Sequence, residues 1–592
     1  MAQIHWASAV DGYFGTASNW TGGVAPGPSN DAFLDASGKR NYVVTVSGTT
    51  WISVHSIATA GNATLEIAVN LGFVASTGTG LLAARGANSG TVVLDGYGSV
   101  LDVAGTFNNP GSVVVGAGSL ALGSNLTLYD AGIVELAGGF IQSFGGPMAT
   151  LTNAGNTIEG FGNLVEVGYN GGYALVNEAK GVVDATGASA PLVIDAGSQP
   201  VINAGLFEAS GAAGLQIRSG TIDDSAGGMI LARSGSMVML GSADIIGGFL
   251  KTTGTGVIGL LGVGLPQFDG TRFAVQNEGR ILINDGQVLG IEGQIVNSGR
   301  IGVAGAGDPT TLRILPSGVT LSGGGAITLN SRLSEITGLS PSAVLDNVDN
   351  TISGRGLLGA RNLTLINGAA GVIAGTRSTG LVIDTGNNVI TNAGLIVAEA
   401  GGAVTIKSGV YNTGALEAMG GTLTLDGDVN GIGGVGGGVV DGGTLAVMSR
   451  FFEGITFGAN GGTLVLAHAR SYFGDISGFA TGGGTVLDLR DIGFVGAGEA
   501  TFSGKAGSGK LTVTDGTHTA TLDLVGGDYT TTTFVASSDG QGGTLVIAAA
   551  ASAHAFVAAM AGLSRSAGGS VHSAEPWVGR EAALFKPRSV AL

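Results

Sequence analysis

Along most of this chain, apolar residues alternate with small or polar ones over five to seven positions and then stop at Gly, Asn, Asp, Ser or Thr. Segments such as NATLEIAV (62–69), GTVVLDG (90–96), SVLDVAG (99–105) and GIVELAGG (132–139) follow this form. A period of two is the mark of a strand with one buried side, and the stops are residues that favour turns. The pattern therefore predicts an all-β chain of many short strands joined by tight turns.

A second, longer period lies over the first. In 345–425 an apolar residue, a spacer, Asn, a spacer and Gly recur at Asn347, Asn367, Asn392 and Asn412, at intervals of 20, 25 and 20 residues. The stretch 151–217 is a near-copy. LTNAGNTIEGFGNL (151–164) aligns with LDNVDNTISGRGLL (345–358), VNEAKGVVDA with INGAAGVIAG, and LVIDAGSQPVINAGLFEA with LVIDTGNNVITNAGLIVA. The offset narrows from 194 residues (Asn153 to Asn347) to 189 (Asn203 to Asn392), so a block of about three coils has been duplicated. Asn277 and Asn297 mark two further units between the copies. Such spacing predicts a right-handed parallel β-helix, a β-solenoid of about 20-residue coils. Some 20 to 24 coils between 50 and 547, each about 4.8 Å from the next, give a rod on the order of 100 Å long. Asn153, Asn177, Asn203, Asn277, Asn297, Asn347, Asn367, Asn392 and Asn412 are expected at equivalent bends, where Asn and Gly tolerate positive φ. There their amides can stack into a hydrogen-bonded ladder.

The ends break the pattern. Residues 1–50 carry Trp6, Tyr13, Phe14 and Trp20, read as an N-terminal cap over the open end of the stack; a sugar-stacking platform is the alternative. The solenoid is assigned to 51–484. Its Gly-dense part, 415–480, also concentrates Phe451, Phe452, Phe457, Tyr472, Phe473 and Phe479, read as filling of wider coils or as an exposed partner patch. Longer alternating strands with hairpin-like turns predict a terminal β-module at 485–547. An Ala-rich tail follows at 548–592, with a short helix expected at its start.

Composition sharpens this picture. With 112 Gly, 11% charged residues and 44% hydrophobic residues, the chain has aliphatics enough for a large core. Neither Gly periodicity nor Pro content (12) suits collagen. A net charge of −17 with singly scattered cations argues against nucleic acid. Cys is absent, and no uninterrupted apolar run is long enough for a membrane span. The start, MAQIHWASAVDG, lacks the basic and apolar regions of a signal peptide.

Enzyme chemistry on a β-helix needs carboxylates, or a carboxylate with Arg or Lys, on adjacent coils. The best local cluster is Asp346, Asp349, Arg355 and Arg361. In the other copy the first three positions fall on Thr152, Gly155 and the Glu159–Phe161 region, so turn formation is the expected role. His5, His55, His468, His518, His554 and His572 are dispersed, and no nucleophile-elbow or phosphate-loop motif stands in its required context. The tandem Gly-rich nonapeptide that binds calcium in secreted toxins is not present; no cofactor is indicated.

The coil pattern resembles the passenger regions of bacterial surface adhesins and autotransporter-like β-strand-repeat proteins, a type common in alphaproteobacteria. The residues carrying the likeness are NTIxGxG (156–162 and 350–356), VNEAKGVVDA with INGAAGVIAG, the module LTVTDGTHTATLDLVGGDY…F…DGQGGTLV at 511–546, and the opening W…GxFGTASNWTGGVAPGPSNDA (6–32). The resemblance implies a secreted, non-enzymatic, cell-surface or biofilm-matrix rod, self-associating or binding matrix glycans. The chain ends in SVAL rather than in a membrane barrel, so the expected route is type I secretion, with 548–592 as its address. The alternative is a β-helical polysaccharide lyase or hydrolase.

Overall fold

The computed structural model describes residues 1–48, 51–68, 79–143, 148–166, 172–262, 264–431 and 436–549. It is a parallel β-solenoid of about 19 turns, each of roughly 23 residues. The 20-residue Asn spacings are thus among the shorter coils; others are lengthened in their turns, as at 186–191 between the strands Val182–Ala185 and Leu192–Asp195. Most of the expected tail lies outside the described residues, although Ala548 and Ala549 complete the strand Thr544–Ala549.

Each turn supplies three short strands, one to each of three faces. Face one runs from Tyr42–Ser47 through Ala63–Ala68 and Thr91–Asp95 to Leu206–Ala209. Face two includes Ser99–Val103 and Leu192–Asp195, and face three Asn30–Leu34, Ser56–Thr59 and Ala174–Asn177. Alternate side chains point inward, where Leu65, Val92, Val113, Val134, Ile158, Val183 and Phe207 are in register and buried one above another. A core of this kind is one aliphatic layer repeated, so each coil depends on its neighbours alone.

The duplicated blocks are not in phase. In the first half, the strands that end in the ladder Asn lie on face three, and the strand after the Asn lies on face one. Leu206–Ala209, which follows Asn203, stacks on Met229–Ala232, then Phe249–Thr252, then the end of Gln267–Asn277. The strands ending in Asn277, Asn297, Asn347 and Asn367 therefore continue face one. The second block is rotated by one face, a third of a turn.

Both ends of the stack are covered by the chain itself. Face three begins at Ala2–His5, paired in register with Asn30–Leu34, so residues 1–50 supply first rungs as well as a cover. Over this rung the loop 16–23 lays Asn19 O against Ala7 N (2.9 Å) and Thr21 Oγ1 against His5 N (3.0 Å). Trp6, Phe14 and Trp20 are sealed inside, with Trp20 edge-on to both partners and its Nε1 donating to Phe14 O. They offer no face to a sugar; Tyr13, at 61% exposure, does. At the other end, Thr544–Ala549 runs antiparallel to Thr485–Leu489, and Thr519–Val525 joins Asp475–Ser477. Phe457, Phe479, Phe534, Phe502 and Tyr529 pack in succession beneath this lid. Of the six aromatics in 451–479, Phe452 and Phe473 alone are exposed.

Candidate functional site

The nine Asn singled out by spacing are all buried, and the structure joins them in two files along two different edges of the prism. In the first, Asn153 Nδ2 donates to Asn177 Oδ1 (2.9 Å), Asn177 to Asn203 (2.8 Å), and Asn203 to Asp224 Oδ1 (2.8 Å). In the second, Asn277 donates to Asn297 (2.6 Å), Asn347 to Asn367 (3.0 Å), Asn367 to Asn392 (2.8 Å), Asn392 to Asn412 (2.7 Å), and Asn412 to Glu453 Oε2 (2.7 Å).

Other members are outside the spacing rule. Thr59 Oγ1 donates to Asn88, Asn88 to Asn109, and Asn109 to Asn156, at 2.7–2.8 Å. Asn156 and Asn350 stand three residues after a ladder Asn, and each reaches back past a coil that has no Asn at its bend. Asn297 meets Asn350 at 2.7 Å across that gap. Their signal was the first Asn of NTIxGxG. The bonds between Asn side chains all run toward the higher residue number, whereas Asn156 Nδ2 turns back to Tyr129 O (3.0 Å) and Asp130 O (2.9 Å). Asn203 and Asn412, the last donors of their runs, therefore need an acceptor, and a buried carboxyl group provides it.

The expected positive φ is not what these bends require. Among the described non-Gly residues only Asp130, Ala360 and Arg361 have it. The bend Gly is needed for closeness instead: a Cβ on Gly371 would lie 2.5 Å from Asn367 Oδ1 and 2.6 Å from Asn347 O. The amide file occupies the space a side chain would fill.

Asp346, Asp349, Arg355 and Arg361 are not brought together; no hydrogen bond or ion pair among the described residues links any two of them. Asp349 accepts from Gly324 N (3.0 Å) and Arg355 Nε donates to Asn330 O (3.0 Å), both turn contacts.

Chemically richer is a file of carboxyls on the outside of face one, where Glu135, Glu159, Asp184 and Glu208 stand in register on successive rungs. Glu208 is paired with Arg233 Nε at 2.7 Å, and Ser210 Oγ donates to Asp184 Oδ2 at 2.8 Å. Partial burial, followed by the charges on either side, pushes the Glu159 carboxyl up; burial and Glu208 do the same at Asp184. Carboxyls raised in this way and standing in register on adjacent rungs are the kind of pairing that general acid–base chemistry uses. Sequence inspection missed it because these residues are 24 or 25 apart and meet only through the register. Among the described residues no group of three or more His, Asp or Glu is placed to hold a metal ion, and no helix is long and apolar enough to cross a membrane.

A scan of the chain against protein-family models finds no match, and a search among curated proteins finds none. The chain is, by its architecture, a β-solenoid repeat protein.

Proposed function

We propose that the chain is a secreted, non-enzymatic rod of the cell surface or biofilm matrix, related in kind to adhesin and autotransporter passengers. The observation that supports this reading is the covering of both ends by the chain's own segments around an unbroken parallel stack. An open end invites strand addition, and head-to-tail addition gives filaments. Covered ends leave the three lateral faces as the working surface. Their side chains repeat at the rung spacing, so many weak contacts sum to avidity. Type I export suits a chain read from its C-terminal segment. The test is localisation and adhesion in the producing cell. Surface or matrix material should contain the chain, and deletion should weaken attachment in a way that added purified protein restores. Retention in the cytoplasm would refute the proposal.

The carboxyl file favours one second reading, a glycan-cleaving enzyme. Incubation with acidic and neutral polysaccharides, followed by assay of reducing and unsaturated ends, separates the two. Release that is abolished by Glu159→Gln and Asp184→Asn supports the enzyme.

A further inference from the structure

We propose that Arg280 and Arg300 form a binding groove for an acidic polysaccharide, a chain bearing carboxylate or sulfate groups. The two residues are register partners on adjacent rungs, immediately after bend glycines. Like charges directly opposite on neighbouring strands are destabilising. The fold does not require them. Along the same file the position is Ala326, then Thr351, Val372, Leu395 and Ala415. Two successive Arg therefore interrupt a file of small and aliphatic residues.

Neither guanidinium has a hydrogen-bond or ion-pair partner among the described residues. The acids near the rim are engaged elsewhere: Glu278 with Lys251 at 2.9 Å, and Asp349 with Gly324 N and Asn350 Nδ2. Between them lies an open groove of about 440 Å³, lined by Thr252, Arg280, Ser298, Arg300, Gly325 and Thr351 among others. These residues come from successive coils, so the groove runs along the rod and suits an extended polymer better than an isolated anion. Thr252, Ser298 and Thr351 line the same groove. Thr252 Oγ1 accepts from Arg280 N (3.0 Å) and Ser298 Oγ donates to Asn277 O (3.4 Å), which leaves the Thr252 hydroxyl proton and the Thr351 hydroxyl for neighbouring sugar hydroxyls. Planar guanidinium forks bind carboxylate and sulfate bidentately. The chain's charge of −17 repels a polyanion at long range, so the contact must be local and sensitive to salt.

This inference rests on the reading of an extracellular rod only for where the ligand is met. Its test is binding of the purified full chain to immobilised polygalacturonate, dextran sulfate, neutral dextran and single-stranded DNA at low and physiological salt. The acidic glycans should be retained and neutral dextran not. Arg280→Gln with Arg300→Gln should lose at least about tenfold in affinity, from two charge-assisted contacts. Arg280→Lys with Arg300→Lys should fall between, and Arg218→Gln, outside the groove, should change nothing. Equal retention by neutral dextran, preference for DNA, full affinity in the Lys pair, or indifference to the Gln pair would each overturn the proposal. If the groove fails while the protein still supports attachment, the rod reading stands without it.

Discussion

Asn203 Nδ2 lies 2.8 Å from Asp224 Oδ1, and the second oxygen of that carboxyl is buried without a partner. The amide ladder on the first edge thus ends on an acid sealed inside the protein, as the ladder on the second edge ends on Glu453, whose Oε1 is likewise orphaned. A charged carboxylate with one unsatisfied oxygen is costly in such a place, whereas a neutral acid keeps the acceptor that Asn203 needs.

Burial pushes the Asp224 carboxyl up to about 8 from an ordinary 3.8. The unfolded chain gives up this proton above about pH 4 while the folded chain keeps it to about pH 8. Local stability therefore falls as pH rises through that window and levels off above it. The full difference is on the order of 5 kcal/mol. Asp224→Asn, neutral at every pH, should remove this slope and raise the stability of the neighbouring coils at pH 8 while leaving it unchanged at pH 4. Hydrogen exchange in the strands Leu215–Asp223 and Met237–Ile246 measures it. Parallel pH profiles in the two proteins would show that the carboxyl is not the titrating group.

Inside a ladder the effect is different, because two partners each lose a bond at once. Asn367→Ala takes the acceptor of one Asn347 Nδ2 hydrogen and the donor to Asn392 Oδ1, while Asn347 Nδ2 keeps its bond to Asn350 O, at about 2–4 kcal/mol for the two buried losses. Coils contact only their neighbours, so protection should be lost around 345–395 and kept at both ends of the rod. A uniform loss over the whole chain would count against a quasi-one-dimensional stack.

How much of this could be read beforehand depends on the range of the signal. The parallel solenoid, its duplication and the bend Asn were legible, since they are carried by period-two strands and by a spacing of 20 to 25 residues. The rotation of the second block by one face was not. It arises from extra strands between Asn203 and Asn277, and no local residue records which face a strand joins. Nor could the file Glu135–Glu159–Asp184–Glu208 or the pair Arg280–Arg300 be separated from scattered surface charge without the register. Asp346 and Arg355, close in sequence, turn to different neighbours because strand and bend residues leave the backbone in different directions.

The glycines differ sharply in what they tolerate. Gly354 has φ +116°, and a Cβ there would fall inside the radius of Leu329 O; Gly160, its counterpart in the other copy, has φ +111° and the same conflict with Leu136 O. Gly401 has φ +72° but nothing within 4 Å. Gly401→Ala should cost about 1–2 kcal/mol, the left-handed penalty alone. Gly354→Ala adds a backbone clash and should cost more than about 3 kcal/mol or prevent folding of its coil. Denaturation midpoints rank the two, and equal losses would contradict the role given to close approach.

Beside its backbone ladders, the C-terminal lid is joined to the solenoid by rings. Phe534 stacks on Phe479 (5.9 Å) and Phe502 (6.0 Å), while Tyr529 Oη donates to Phe479 O (3.0 Å). Phe534→Ala removes a buried ring that joins lid to solenoid, a change worth about 3–5 kcal/mol in a packed core. The antiparallel cover on Thr485–Leu489 should loosen, and the freed strand edge should recruit other molecules. Sedimentation velocity should then show concentration-dependent species absent from the parent protein. Phe473→Ala, a truncation at a ring 77% exposed, should leave the profile as it was. Association in the Phe473 variant but not in the Phe534 variant would place the contact on a lateral face and assign the lid no part in keeping rods apart.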